Sequence, residues 1–366
     1  FPSSSSLFTI AASTIHADAV EPLKRAFTKN QHDGIIAVGG GAVIDLAKVL
    51  KLSLLGVNIA DGRNEGAVQL TMDRLDYPLV VIPTTIGSGS GATPVAYIHS
   101  KTLGRTLCLS HKTLFAHAVF LDPKLSKSVS ALQTAMGVSA ILGRAVESIT
   151  SARSVPTSEL HALQAIRLLK THSFRVVHTP HDLEARLGIS IASHLAGIAG
   201  SITGESLAHA ASVTMAKATH ISYGQCMMIL LPHTLRYNLE GSETALARIA
   251  TAVGVSDGHE GMKAEDLERN AIACIDWIQQ FLMQMTSSVT PIPDHRFYDI
   301  VSKESQQRAL LPEQLEQIAQ LIHISRELLT SRNLPDVQDI ISVLEAAYWG
   351  YPIDQGTVRY KHRQKQ

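Results

Sequence analysis

The sequence predicts an α/β domain built on a parallel sheet, followed by an all-helical domain. Its 366 residues exceed what a single hydrophobic core usually serves, so two domains are expected. Over residues 1–125, short β-like runs alternate with helical ones, the pattern of βα units around a parallel sheet. From "SVSALQTAMGVSAILGRAVESITS" onward such runs vanish and long amphipathic helices follow.

In chain order, "HADAVEPLKRAFTKN" has helical spacing and "GIIAVG" reads as a strand. Three glycines, Gly39, Gly40 and Gly41, separate that strand from the helix "AVIDLAKVLKLSLLG". "YPLVVIPTT" is a second strand. A strand-like Val119-Phe120-Leu121 is stopped by Asp122-Pro123 within "FLDPKLSKS", which marks the seam between domains 1–125 and 126–366. Helices are expected over Ser158–His172, Leu183–Ser201 and Pro312–Thr330. "GVSDGHEGMKAED" and "TSSVTPIPDHRF" read as surface loops. Met215, Met227 and Met228 lie in apolar helical runs and are core candidates.

Lys+Arg and Asp+Glu both number 32, so no basic field exists to hold nucleic acid or an anionic membrane, and a small-molecule substrate is the expected partner. Cys108, Cys226 and Cys274 are odd in number and widely spaced, which fits reduced thiols in a cytoplasmic protein. No window approaches the ~20 apolar residues of a membrane span. The opening "FPSSSSLF" lacks the charged and apolar regions of a signal peptide.

The glycine triplet lacks both the third glycine of the dinucleotide fingerprint and a Walker lysine. Glycine still lets a ligand touch the main chain, and the helix that follows offers unpaired N–H groups to an anion. A tight turn, with positive φ at Gly40 and Gly41, explains the same residues. A second stretch, "PLVVIPTTIGSGSGATP", also ends a strand in a glycine-rich loop, with the hydroxyls of Thr84, Thr85, Ser88 and Ser90. Two such loops at strand C-termini mark where ligands bind in open α/β sheets.

Together these stretches resemble the nucleotide domain of the iron-type alcohol dehydrogenases, the superfamily that also holds glycerol dehydrogenase, maleylacetate reductase and dehydroquinate synthase. The resemblance continues through "VFLDPKLS", "GVSAILGRAVES" and "SLAHAASVTMAKATHISYGQCMMILLPHTLRYN". The runs "ILLPHTLRYN" and "ARIATAVGV" are similar to the maleylacetate reductase branch. The resemblance implies a dehydroquinate synthase-like fold with an active-site cleft between its domains, and a homodimer is expected. It implies NAD(P)H as cofactor, held by Gly39, Gly40, Gly41, Ala42, Asp45 and Lys48, with Thr84, Thr85 and Ser88 lining the dinucleotide.

Metal-dependent members of that superfamily use an Asp and a His on one helix, then two His, to hold a divalent ion that polarises a carbonyl or alkoxide. Here the Asp position falls on Ser139 or Ala140 and the helix His on Gly143 or Arg144. His209 keeps the third position, Tyr223 occupies the fourth, and a further His is replaced by Val213. One imidazole cannot hold a divalent ion against water, so no metal is expected; His220 substitutes only if its loop is rearranged. The residues expected at the site are instead Ser139, Arg144, His209 and Tyr223, with Lys217 nearby. A guanidinium can pair bidentately with a carboxylate or enolate, and His209 and Tyr223 can exchange protons. The plainer alternative pairs Arg144 with Glu147, packs Tyr223 and leaves His209 without a task.

Relatives carry a longer segment ahead of the helix that matches "HADAVEPLKRAF", where this chain has "FPSSSSLFTIAAST". The resemblance thus implies that the first strands of the sheet and part of the adenosine pocket are missing. Three functions are compatible with these residues: a metal-independent NAD(P)H-dependent reductase of a small keto or unsaturated acid; a non-redox lyase, cyclase or isomerase; and a non-catalytic binding protein.

Overall fold

The computed structural model describes residues 5–10, 15–59, 66–68, 76–219, 221–258, 260–287, 289, 296–297, 310 and 312–350. His220 and parts of both expected surface loops lie outside them. The chain divides into two compact units, 1–128 and 129–366.

In the first unit, helix α1 (Val20–Lys29) leads to strand β1 (Ile35–Gly39), and helix α2 (Gly41–Leu54) follows the glycines. β1 pairs in parallel with β3 (Leu79–Pro83), in register from Ile35 opposite Leu79 to Gly39 opposite Pro83. β3 pairs in parallel with β6 (Ala118–Val119), which gives the order β1-β3-β6. This is the parallel sheet the alternating pattern predicts.

A second sheet joins β2 (Gly66–Ala67), β5 (Arg105–Ser110) and β4 (Val95–Ser100) in the order β2-β5-β4, with β4 and β5 antiparallel. Its inward residues alternate along the chain, Ala96 and Ile98 on one strand, Leu107 and Leu109 on the other, as a half-buried hairpin requires. α2 packs Leu46, Val49, Leu50 and Leu52 among the residues of that hairpin. Ile44 and Ala47 of the same helix meet Ala37, Leu79 and Val81 of the parallel sheet. Being covered on both sides, α2 has no exposed face from Ile44 to Ser53, and each fully buried leucine contributes roughly 1.5–3 kcal/mol. Lys51, fully buried on this helix, is charge-paired with Asp76 at 2.8 Å.

No described residue beyond β6 is in a strand. The second unit begins with α3 (Ala131–Thr150), whose N-cap Ser130 accepts the Gln133 N–H. α4 (Pro156–His178), α5 (Leu183–Thr203), α6 (Leu207–Thr219), α7 (Tyr223–Tyr237), α8 (Glu243–Ala252) and α9 (Ala264–Ser287) follow. Pro312–His323 and Val337–Trp349 are helical too. The three methionines are buried, and all three cysteines are free thiols. No single described helix is long and apolar enough to cross a membrane.

Candidate functional site

The first group of candidate residues surrounds the N-terminus of α2. Gly40 occupies the N-cap with φ −76° and ψ −179°, and none of the three glycines has positive φ, which corrects the tight-turn expectation. Space is what requires glycine here. A Cβ on Gly40 would lie 2.9 Å from Thr85 Oγ1, and one on Gly41 would lie 2.6 Å from Ser88 Cβ. The triplet therefore lets the first loop approach the second. The Thr84 N–H donates to Gly39 O at 3.0 Å and joins the two strand ends. Ser88 Oγ accepts the Ser90 N–H at 3.3 Å. No side chain caps α2, and Ala42 and Thr85 are exposed beside its first turn.

Asp45 and Lys48 turn inward, and this corrects their assignment to a pyrophosphate. Lys48 Nζ donates to Ser90 O at 2.5 Å, Thr93 O at 2.7 Å and Val95 O at 2.8 Å, with no solvent exposure. A carboxylate oxygen of Asp45 accepts the Tyr97 N–H at 3.3 Å. Both follow from α2 lying between two sheets: they brace the second loop and the hairpin from within.

The second group lies in the helical unit and forms one continuous chain of contacts. Arg144 Nε of α3 donates to Glu205 Oε1 at 2.6 Å. His209 Nε2 of α6 lies 2.7 Å from Glu205 Oε2, and its Nδ1 lies 2.9 Å from Tyr223 OH. The two rings meet edge-on, with centroids 5.4 Å apart. Tyr223 is the first residue of α7, and a capping box between Ser222 and Gln225 fixes that turn. Glu205 follows Gly204, whose φ of +76° makes the bend between α5 and α6. The Glu205 carbonyl accepts from Thr330 Oγ1 at 2.6 Å.

Three expectations need correction. Arg144 pairs with Glu205, 61 residues away, and not with Glu147; with its Nε committed to this ion pair and only 8% of the residue exposed, it holds Glu205 in place. Ser139 is fully buried and its Oγ donates to Ala135 O of its own helix at 3.0 Å, so it offers nothing to a ligand. Lys217 is exposed, eight residues beyond His209 on α6. Glu205 itself is absent from the sequence reading. Its signal was present, an acid four residues ahead of a histidine, the spacing that puts both on one helical face.

The electrostatics are those of a buried charged network. Burial alone would lower the His209 pKa, but the carboxylates of Glu205 and Glu147 outweigh it and raise it. Burial alone would raise the Glu205 pKa, but His209 and Arg144 drive it far below the ordinary carboxylate range. Burial, aided by Glu205, raises the Tyr223 pKa well above its usual value, so the phenol keeps its proton. An imidazolium at position 209 donates Nε2–H to Glu205 and Nδ1–H to the Tyr223 oxygen, which leaves the phenolic O–H to be given elsewhere.

Glu147 completes the network. Its Oε1 accepts the N–H groups of Ala208 at 2.7 Å and His209 at 3.3 Å, and its Oε2 has no hydrogen-bond partner among the described residues. Burial raises its pKa to about 7 against the pull of His209. Below pH ~4.5 the folded and unfolded chains both hold this proton. Above that the unfolded chain loses it first, so stability falls as pH rises toward 7, by roughly 3 kcal/mol in full. Glu147→Gln is expected to melt above the parent at pH 8, with the difference shrinking at pH 5. Equal melting temperatures at both values would contradict the shift.

A divalent ion does not fit this donor set. Both ring nitrogens of His209 are engaged, the Ser139 hydroxyl is turned into its helix, Tyr223 remains protonated, and Arg144 places a fixed cation beside the one remaining imidazole. Among the described residues, no group of three His, Cys, Asp or Glu is placed to hold a metal.

Comparison with known proteins agrees with this architecture. Residues 5–123 match the iron-containing alcohol dehydrogenases, and residues 134–348 match the C-terminal region of the Fe-containing alcohol dehydrogenase family. The chain is 29% identical to long-chain-alcohol dehydrogenase 1 of Geobacillus thermodenitrificans over 78% of its length and 72% of that protein. It is 30% identical to choline dehydrogenase of Bacillus subtilis, over 69% of this chain and 61% of that one. Maleylacetate reductase 1 of Cupriavidus pinatubonensis is 28% identical, over 72% and 67%. Among solved structures, a 1,3-propanediol oxidoreductase superposes with a TM-score of 0.78 at 22% identity, covering 91% of this chain and 81% of that one. A sulfoacetaldehyde reductase from Bifidobacterium kashiwanohense, in complex with NAD+, gives 0.74 at 21% identity, over 94% and 83%. Matched along both of its units, the chain belongs to the iron-containing alcohol dehydrogenase family.

Proposed function

We propose that this protein is a metal-independent, NAD(P)H-dependent reductase of a small carbonyl substrate, with Tyr223 as the proton donor. The observation that carries this reading is the unbroken chain Arg144–Glu205–His209–Tyr223. A bound NAD(P)H supplies the hydride. Tyr223 donates its O–H proton to the substrate oxygen as negative charge develops there, and His209 replaces it through Nδ1. Glu205 holds the imidazole in orientation and stabilises its charge, and Arg144 fixes Glu205. Arg144 therefore serves the acid through Glu205, in place of a pairing with a substrate carboxylate or enolate.

Support for the cofactor comes from the first unit. The uncapped start of α2, exposed Ala42, and the hydroxyls of Thr84, Thr85 and Ser88 suit a pyrophosphate. Lys48 acts only indirectly, by holding the second loop.

A valine at position 40 would drive its side chain against Thr85 and occupy the approach to the α2 N–H groups. Gly40→Val is expected to weaken NADH or NADPH binding at least ~10-fold in a nicotinamide fluorescence titration, a loss of about 1.4 kcal/mol. Unchanged affinity would return the triplet to a packing role alone. Product formation without any nicotinamide would favour the lyase or isomerase reading, since the same proton chain needs no hydride.

A further inference from the structure

The first turn of α6 carries His209, and its free N–H groups are not satisfied in the usual way. Ser206 occupies the position where a hydroxyl normally caps a helix, yet Ser206 Oγ is 2.8 Å from Ser331 Oγ, 125 residues away. The capping acceptor comes from another helix: Oε1 of Glu147, on α3, takes the N–H groups of both Ala208 and His209. Those donors are the second and third residues of α6, where an acceptor is wanted and the helix dipole favours negative charge. One turn along α3, Arg144 holds the carboxylate that receives His209 Nε2.

We propose that Glu147 is the positioning residue for His209, a cap supplied from α3 that fixes the backbone of position 209 and thereby aims the imidazole at Glu205 and Tyr223. The proposal rests on the reductase reading only for its effect on turnover; the geometry of the ring stands apart from it. Glu147 touches no reacting atom. Its action passes through two backbone N–H groups, and the diversion of Ser206 to Ser331 leaves the local hydroxyl elsewhere. α3 thus sets both ends of the contact: Arg144 places the acceptor of the histidine and Glu147 places the histidine.

The test compares Glu147→Gln, which keeps an acceptor oxygen, with Glu147→Met, which keeps the volume and removes it. With 15N-histidine labelling, the His209 ring N–H resonances, assigned through His209→Gln, are protected and visible in the parent. They are expected to persist in Glu147→Gln and to shift or broaden away in Glu147→Met, with kcat in the latter falling ~10–100-fold as a misplaced acid–base group predicts. Wild-type resonances in Glu147→Met would overturn the proposal, as would their loss in Glu147→Gln with its fold intact. Should the parent show no nicotinamide-dependent turnover, the reductase reading fails while the resonances still decide the role of Glu147.

Discussion

Tyr223→Phe is expected to lower kcat by ~10²–10⁴-fold, the usual contribution of a positioned general acid, while NADH or NADPH affinity stays at the parent value. The phenol is the end of the Arg144–Glu205–His209 chain, and burial keeps its proton in place. Phenylalanine preserves the edge-on contact with His209, so the fold should survive and the loss should fall on the chemical step. His209→Ala should match it in kcat, and the double variant should be no worse than either single one, because residues acting as one relay are not additive. Steady-state kinetics with a panel of small aldehydes and 2-oxo acids checks this. Turnover within a few-fold of the parent in Tyr223→Phe would remove the phenol from the mechanism.

The second large effect concerns stability. Glu205 accepts from two cationic groups in a buried site, and removing one partner of such a network typically costs about 3–5 kcal/mol because the others remain buried without their counter-charge. Glu205→Ala is therefore expected to unfold at markedly lower denaturant. Replacing acid and base together, as Glu205→Leu with Arg144→Met, should recover most of that loss, since apolar side chains of similar volume tolerate the site. Activity should not return with it. The pH profile gives an independent sign. The raised His209 pKa stabilises the fold fully below ~6.5, and that stabilisation is lost as pH rises through its higher folded value; Glu205→Ala should flatten this slope, since Glu205 is the larger of the two carboxylate influences on His209. A fall of less than ~1 kcal/mol in Glu205→Ala would mean the pair is not the structural centre described here.

Much of this was legible in the sequence, for reasons that are local. β1, α2 and β3 announce themselves through apolar runs broken by glycine, and the helices of the second unit through their spacing. The β4–β5 hairpin was missed although Ala96, Ile98, Leu107 and Leu109 alternate correctly; the nearby glycine-rich loop drew the reading toward a ligand. Asp45 and Lys48 were misread because a one-dimensional pattern cannot show a helix covered by sheets on both sides, where a lysine must find carbonyls. His209, Arg144 and Tyr223 stand out in the sequence by position, and the structure joins them in one chain of contacts. What joins Arg144 to His209, Glu205, sits in a bend, and those two partners are 65 positions apart in the chain, from 144 to 209. Only folding brings that pairing about.

In the proposed reaction Tyr223 and His209 move the proton, Glu205 and Arg144 hold them in place, and the hydride transfer needs no metal. The most direct test uses protein dialysed against a strong chelator, with iron and zinc measured in the same sample. It is then given NADH or NADPH carrying deuterium at the transferring C4 position, together with the aldehyde and 2-oxo acid panel. Mass spectrometry of the alcohol product is expected to show one deuterium, formed at the same rate before and after chelation, with both metals far below one per chain. Deuterium transfer that disappears on chelation and returns only when iron or zinc is restored would contradict it.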